Sequence, residues 1–164
     1  MKIAFIQTGG TIDKDYPRET GGYAFEIDTP AFERILNKLN PGFDFRIYSA
    51  FKKDSLDISD EDRDYLVDFV GKLDERRIVV THGTDTLIET AVALQSVKNK
   101  TIVVTGAKLP ERFSNSDAPV NLGAAVGAVQ VLKDGSYVCM QGLVAPAEQV
   151  TRDMKSGTFQ MKGS

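Results

Sequence analysis

The stretch RIVVTHGTDTLIETAVALQSVKNKTIVVT, residues 77–105, decides the fold. It contains two short runs rich in β-branched residues, Arg77–Thr81 and Thr101–Thr105, on either side of a segment with helical periodicity. In both runs the apolar residues follow one another without polar residues between them, which indicates strands that are covered on both faces. A strand, a helix and a second strand in this order predict a parallel pair joined by a crossover helix.

The same alternation extends over the whole chain. Further strands are predicted at residues 2–7, 44–49 and 136–140. Four helices are predicted between the strands: one opened by Thr29 and Pro30 that runs to Leu39, one that follows Ser59 and its acidic first turn, one from Leu87 to about Val97 capped by Thr84 or Asp85, and one from Pro119 to Leu132. We therefore expect an α/β fold of flavodoxin- or Rossmann-like type, a three-layer parallel sheet with helices on both faces. The flavodoxin-like strand order 2-1-3-4-5 would make the first and third strands neighbours.

The composition restricts the classes of function. With 164 residues and a net charge of −3, the chain has the size of one domain, residues 1–164, and lacks the basic surface that nucleic-acid binding needs. No apolar segment reaches the length of a membrane span and no signal-peptide core is present, so we expect a cytoplasmic protein without a membrane partner. The single cysteine, Cys139, excludes an intrachain disulfide. The single histidine, His82, argues against a metal site, and we expect neither a metal nor a cofactor.

Three predicted strands end in segments rich in glycine and threonine. These segments are TGGTI at residues 8–12, THGTDT at residues 81–86 and TGAKLP at residues 105–110. Open α/β sheets bind ligands in a crevice at the carboxyl ends of their strands. If the first and third strands are neighbours, Thr11, Thr84 and Asp85 face the same crevice. The glycines beside them allow a close approach of the backbone to a ligand and leave N–H donors available.

Each feature also has a purely structural interpretation. Gly9 and Gly10 alone are typical of a tight turn, and they form neither a dinucleotide-binding motif nor a Walker A loop. Thr84 and Asp85 are suited to cap a helix. His82 is expected to be a packed histidine with a backbone hydrogen bond. The functional interpretation is favoured because hydroxyls and a carboxylate converge on one edge of one sheet.

TGGTI together with THGTDT about seventy residues later resembles the bacterial-type L-asparaginase family. The resemblance covers the whole chain, since TGAKLP followed by SDAPVNL at residues 116–122, and KKDSLDIS at residues 52–59, also resemble segments of that family. It implies hydrolysis of an amide through a threonine nucleophile and an acyl-enzyme, with release of ammonia. A small amino-acid amide is the implied substrate.

The resemblance also implies roles for individual residues. It places the nucleophile at Thr11 and a loop tyrosine at Tyr23, and it implies that Asp85 holds the substrate's α-amino group by a charge-assisted hydrogen bond. The backbone N–H groups of Gly10, Thr11 and Thr84 would stabilise the oxyanion. The implied catalytic group is Thr11, Tyr23, Thr84 and Asp85, and the implied substrate-binding group is Gly10, Asp54, Ser55, Gly83 and Ala107.

One position departs from the family pattern. In the family, the second threonine communicates with a lysine that follows a Val-Thr pair, whereas here Val150 and Thr151 are followed by Arg152. An arginine keeps its proton in proteins and cannot relay one. Lys155, three residues further on, is the alternative candidate for the catalytic lysine.

The number of domains is a second departure from the family pattern. Family members carry a second, carboxy-terminal domain, so we expect this chain to correspond to the amino-terminal domain alone, either as a natural single-domain relative or as a truncated protein. Apolar surface left by the absent domain predicts a homo-oligomer.

The resemblance leaves three functions open. The first function is an asparaginase-like amidohydrolase that acts on L-asparagine or a related small amide. The second is a non-hydrolytic Asn/Asp-binding or sensor protein, and the third is an ammonia-supplying partner of an amidotransferase.

Overall fold

The computed structural model describes residues 1–16 and 25–163. Its main feature is a sheet of six strands. In chain order the strands are β1 (Lys2–Gly9), β2 (Lys14–Asp15), β3 (Glu26–Ile27), β4 (Asp44–Lys53), β5 (Arg77–Thr81), β6 (Thr101–Thr105), β7 (Gly135–Met140), β8 (Leu143–Pro146), β9 (Val150–Arg152) and β10 (Phe159–Met161). The helices are α1 (Ala31–Leu39), α2 (Asp60–Lys72), α3 (Leu87–Ala93) and α4 (Ala118–Val131).

The main sheet has the order β4-β1-β5-β6-β7-β8. The first five strands in this order pair in parallel, which confirms the predicted parallel sheet. Their order is the flavodoxin-like 2-1-3-4-5, which places β1 beside β5. The sixth strand, β8, pairs antiparallel with β7 and was not predicted. The connection is a two-residue hairpin in which Gln141 and Gly142 both have positive φ, at 56° and 83°. Such turns match the twist of antiparallel strands.

Helices cover both faces of the sheet, as the unbroken apolar strands predict. On one face Ala4 and Ile6 of β1 pack in a buried cluster with side chains of α2 and α3. On the other face Ile3 and Phe5 pack in a second cluster with side chains of α1 and α4. Successive residues of β1 point to opposite faces, so one strand contributes to both layers.

The helix starts agree with the sequence in part. Ser59 caps α2 through a reciprocal capping box with Asp62, as the acidic first turn predicts. In contrast, α3 begins at Leu87 with Thr86 at the cap position, so the prediction of Thr84 or Asp85 as the cap is wrong. After Ala93 this helix tightens into a 3₁₀ turn, Leu94–Ser96, instead of continuing to Val97. Thr84 and Asp85 therefore remain outside the helix.

Two small hairpin-like pairs lie outside the main sheet. The strands β2 and β3 pair antiparallel, and β9 pairs with β10 so that Arg152 lies opposite Phe159. None of the helices formed by residues 1–16 and 25–163 combines the length and the apolar character needed to cross a bilayer.

Candidate active site

The loops that follow β1 and β5 touch through their backbones. Gly10 has a φ of +84°, and a Cβ atom placed on it would collide with the Cα and N atoms of Gly83. The two strands are also joined by the Thr8 hydroxyl, which donates a hydrogen bond of 2.8 Å to the carbonyl of Thr81. This contact brings the two glycine-threonine segments together at the carboxyl edge of the sheet, as the sequence predicts.

A third loop, after β4, joins this contact through Ser55. The Ser55 side chain is buried against Gly83, where an added Cβ would lie 2.6 Å from Ser55 Oγ. Ser55 Oγ accepts a hydrogen bond from the Asp85 N–H at 3.3 Å and donates to Asp85 Oδ2 at 3.5 Å. The Thr86 hydroxyl donates to the Ser55 carbonyl at 2.7 Å. Ser55 therefore fixes the position of the Thr84–Asp85 segment.

Thr11 is half-buried. It lies next to the junction, the place where the loops after β1, β4 and β5 meet. It begins a 3₁₀ turn, Thr11–Asp13, directly after Gly10. The carbonyl of Ile12 in that turn accepts a hydrogen bond of 3.1 Å from the Glu111 N–H, which ties the turn to the loop after β6. Within residues 1–16 and 25–163, no side chain makes a hydrogen bond with the Thr11 hydroxyl. The turn therefore holds the Thr11 hydroxyl beside the two contacting loops without forming a hydrogen bond to it.

Arg152 of β9 lies against the second loop. Its Nη1 atom donates to Asp85 Oδ1 at 2.7 Å and to the carbonyl of Thr84 at 3.3 Å. The guanidinium also lies over the ring of Phe159, 5.8 Å from the ring centre. Lys155, in contrast, is an exposed residue of the turn between β9 and β10, where its backbone N–H donates to Asp153. The cation that contacts Thr84 and Asp85 is therefore Arg152.

Asp54 forms an ion pair with Lys14, with 2.6 Å between Nζ and Oδ2. The hydrogen bond from Lys14 is the main reason why the pKa of Asp54 lies below its ordinary value. Sequence reasoning did not identify Lys14, because nothing in the sequence shows that β2 passes beside the loop after β4. The ion pair links those two segments at the edge of the junction.

The buried His82 ring stabilises the loop after β5 at the junction. The ring is fully buried, and burial lowers its pKa to about 4, so the ring is neutral. Nδ1 donates to the Gly83 carbonyl at 2.8 Å, and Nε2 accepts from the Thr90 hydroxyl at 2.8 Å. These bonds fix the carbonyl of Gly83, and they agree with the predicted structural role of His82.

The loop after β6 contributes buried backbone. Ala107 is fully buried, and the preceding Gly106 packs so closely on the His82 carbonyl that an added Cβ would collide with it. Asn121 of α4 donates to the Gly106 carbonyl at 3.0 Å. The third glycine-threonine segment thus packs against the second one through main-chain atoms.

Asp13 is a buried carboxyl that sequence reasoning missed. Its Oδ1 accepts the Ala31 N–H at 2.7 Å, at the start of α1, while Oδ2 has no hydrogen-bond partner within the described part of the chain. Burial raises the pKa of Asp13 from 3.8 to about 7, although the hydrogen bond from Ala31 acts in the opposite direction. The sequence offers one signal for Asp13: it is an aspartate directly after Ile12, the apolar last residue of the TGGTI motif.

Two further sequence predictions concern the site. Tyr23 lies outside the described residues. The residues that the structure does describe include no group of three or more His, Cys, Asp or Glu side chains placed to hold a metal ion.

Comparisons with known proteins match this chain to asparaginases. The family model described as "Asparaginase, N-terminal" matches residues 2–161. The glutaminase-asparaginase of Acinetobacter glutaminasificans is 27% identical over 168 residues, which cover 95% of this chain and 51% of that protein. L-asparaginase 2 of Bacillus subtilis is 28% identical over 172 residues, which cover 98% of this chain and 46% of that protein.

A solved structure shows the same fold. The thermostable L-asparaginase from Thermococcus kodakarensis matches with a TM-score of 0.82 at 28% identity, over 98% of this chain and 51% of that one. The chain thus spans about half the length of the relatives that it matches.

Proposed function

Since the chain belongs to the asparaginase family, whose N-terminal model it matches over residues 2–161, we propose that it is an amidohydrolase. The proposed reaction converts L-asparagine or a related small amide into the acid and ammonia. The observation that carries this proposal is the backbone contact between Gly10 and Gly83. Thr11 follows Gly10 and Thr84 follows Gly83 in the sequence, so this contact supports a site in which Thr11, Thr84 and Asp85 act together.

In the proposed reaction the Thr11 hydroxyl oxygen attacks the carbon of the side-chain amide. The carbonyl oxygen then carries a negative charge, which the N–H groups of Gly10, Thr11 and Thr84 stabilise. The carbon–nitrogen bond breaks, and the nitrogen takes up the proton that the Thr11 hydroxyl has released and leaves as ammonia. Water then hydrolyses the Thr11 ester, which yields the acid and restores the hydroxyl. Asp85 accepts a hydrogen bond from the α-nitrogen of the substrate.

The remaining predicted residues have supporting roles in this proposal. Asp54 and Ser55 contact the substrate, and Tyr23 belongs to the catalytic group. The carbonyl of Ala107 lies near the reacting amide.

The position of Arg152 bears on the rate. A threonine hydroxyl is a weak nucleophile until a neighbouring group takes its proton. Arg152 contacts Thr84 and Asp85, yet a guanidinium does not accept or release a proton at physiological pH. We therefore expect turnover to be slow, while binding of an anionic ligand remains intact.

The same observation favours a second candidate, a protein that binds Asn or Asp without hydrolysing it. An assay of ammonia release from asparagine and glutamine, together with calorimetry of aspartate binding, distinguishes the two. Ammonia release that is lost in Thr11→Ala supports the amidohydrolase. Aspartate binding without ammonia release supports the binding protein, and the absence of both contradicts the proposed function.

A further inference from the structure

A cavity of about 250 Å³ opens beside Asp85, between α3 and the β9–β10 pair. Its apolar wall is formed by Ile88, Val150 and Met154, and Lys162 lies at its rim. Met154 is 83% exposed, and its flexible thioether adapts to a ligand at small cost. The cavity therefore leaves space next to the Asp85 side chain, and one wall of that space is apolar.

The charges of this cavity are already balanced. Asp85 is paired with Arg152 at 2.7 Å. Glu89 and Lys162 are the other charged residues that line the cavity, so its carboxylates and its cations are equal in number. A free ammonium group would enter a site without net negative charge, close to a permanent guanidinium. A neutral N–H group donates to Asp85 without that repulsion.

We propose that the preferred substrate is an asparagine whose α-nitrogen carries an acyl group, either a short N-acyl group or the preceding residue of a peptide. This inference rests on the proposed function and names the substrate class of the same site. The amide N–H of the acylated nitrogen donates to Asp85, and the acyl carbonyl accepts a hydrogen bond from Lys162. The carbon chain of the acyl group packs on Ile88 and Met154.

The test compares ligands with and without an acyl group, and it does not depend on turnover. Calorimetry on the Thr11→Ala variant measures the Kd of L-aspartate and of N-acetyl-L-aspartate. We expect the acetylated acid to bind about tenfold more tightly, since it adds one buried methyl group and one hydrogen bond. Equal or weaker binding of N-acetyl-L-aspartate, or no binding of either acid, overturns the inference.

Two variants assign the effect to the cavity. Ile88→Phe fills the apolar wall and Lys162→Gln removes the cation at the rim, and each should abolish the preference for the acetylated acid. Lys98→Gln, a charge-matched change at an exposed residue that does not line the cavity, should retain it. A preference that survives both cavity variants places the acyl group elsewhere and overturns the inference.

Ammonia release from L-asparagine and N-acetyl-L-asparagine separates this inference from the proposed function. If neither amide is hydrolysed but N-acetyl-L-aspartate binds in a Lys162-dependent way, the proposed function fails, and the inference stands as a binding site for N-acyl aspartate or asparagine. If asparagine is hydrolysed and the acetylated amide is not, the proposed function stands and the inference fails.

Discussion

Replacing Asp13 by Asn should remove a pH dependence of stability that the wild-type chain carries. The Asp13 side chain is fully buried, with Oδ1 bonded to the Ala31 N–H and Oδ2 without a partner among the described residues. Asparagine has the same shape and keeps the acceptor oxygen for Ala31, but it stays neutral at every pH. The substitution therefore changes the charge of the site and leaves its packing in place.

The pKa of Asp13 determines the sign and the size of its contribution to the free energy of unfolding. Burial raises the pKa of Asp13 from 3.8 to about 7, so the folded chain holds this proton more tightly than the unfolded chain does. Its contribution to stability is present below the unfolded pKa and is lost as the pH rises through the folded pKa. At about 1.4 kcal/mol per pKa unit, the loss amounts to about 4 kcal/mol.

Urea denaturation of the wild type and of Asp13→Asn at several pH values measures this contribution. The variant should gain stability over the wild type as the pH rises from about 4 to about 8, by up to about 4 kcal/mol. Asp64→Asn, a change at an exposed carboxyl of α2, is the matched control and should show no comparable gain. A difference between wild type and Asp13→Asn that is constant over this range would refute the reasoning.

The remaining predictions concern the site, its support and the assembly. Thr11→Ala should lower ammonia release by several orders of magnitude with little change in the urea midpoint, and retention of more than about a tenth of wild-type turnover would exclude Thr11 as the nucleophile. Arg152→Lys should raise kcat without tightening aspartate binding, whereas loss of activity in Lys155→Ala would assign the proton relay to Lys155 instead. Thr90→Val should cost about 1–3 kcal/mol of unfolding free energy because it leaves a buried ring nitrogen without its donor, and Thr90→Ser should restore most of it. Light scattering should give an oligomer, because α4 presents exposed valines on its outer side; a monomer mass at high concentration contradicts this.

A sheet covered on both faces could be predicted because the information lies in the strands themselves. The runs at residues 78–80 and 102–104 are apolar without interruption, and only a sheet covered on both faces buries all of them. The capping box at Ser59 was predictable for a similar reason, since both of its partners lie within four consecutive residues. Where the interacting groups are close in sequence, or where a whole segment shares one character, the sequence is sufficient.

Other features depend on contacts between distant segments. The start of α1 receives its hydrogen bond from Asp13, eighteen residues away, and not from the local Thr29. Arg152 reaches Asp85 across sixty-seven residues, and only the pairing of β9 with β10 aims it there. The hairpin to β8 depends on a positive φ at Gln141, a conformation that glutamine seldom adopts and that tertiary packing has to impose. Local patterns carry no signal for such contacts.

The glycines of the site explain how the loops after β1 and β5 converge through their backbones. The strands β1 and β5 pair with each other as far as Gln7 and Thr81. Beyond them the two segments approach until the backbone of Gly10 meets that of Gly83. A Cβ at Gly10 would collide with the backbone of Gly83, and a Cβ at Gly83 would collide with Ser55, so this geometry requires glycine at both positions. Because the contact is made by main-chain atoms, the side chains of Thr11 and Thr84 take no part in holding it together. They are therefore available for a ligand, and their substitution should change chemistry and binding before it changes the fold.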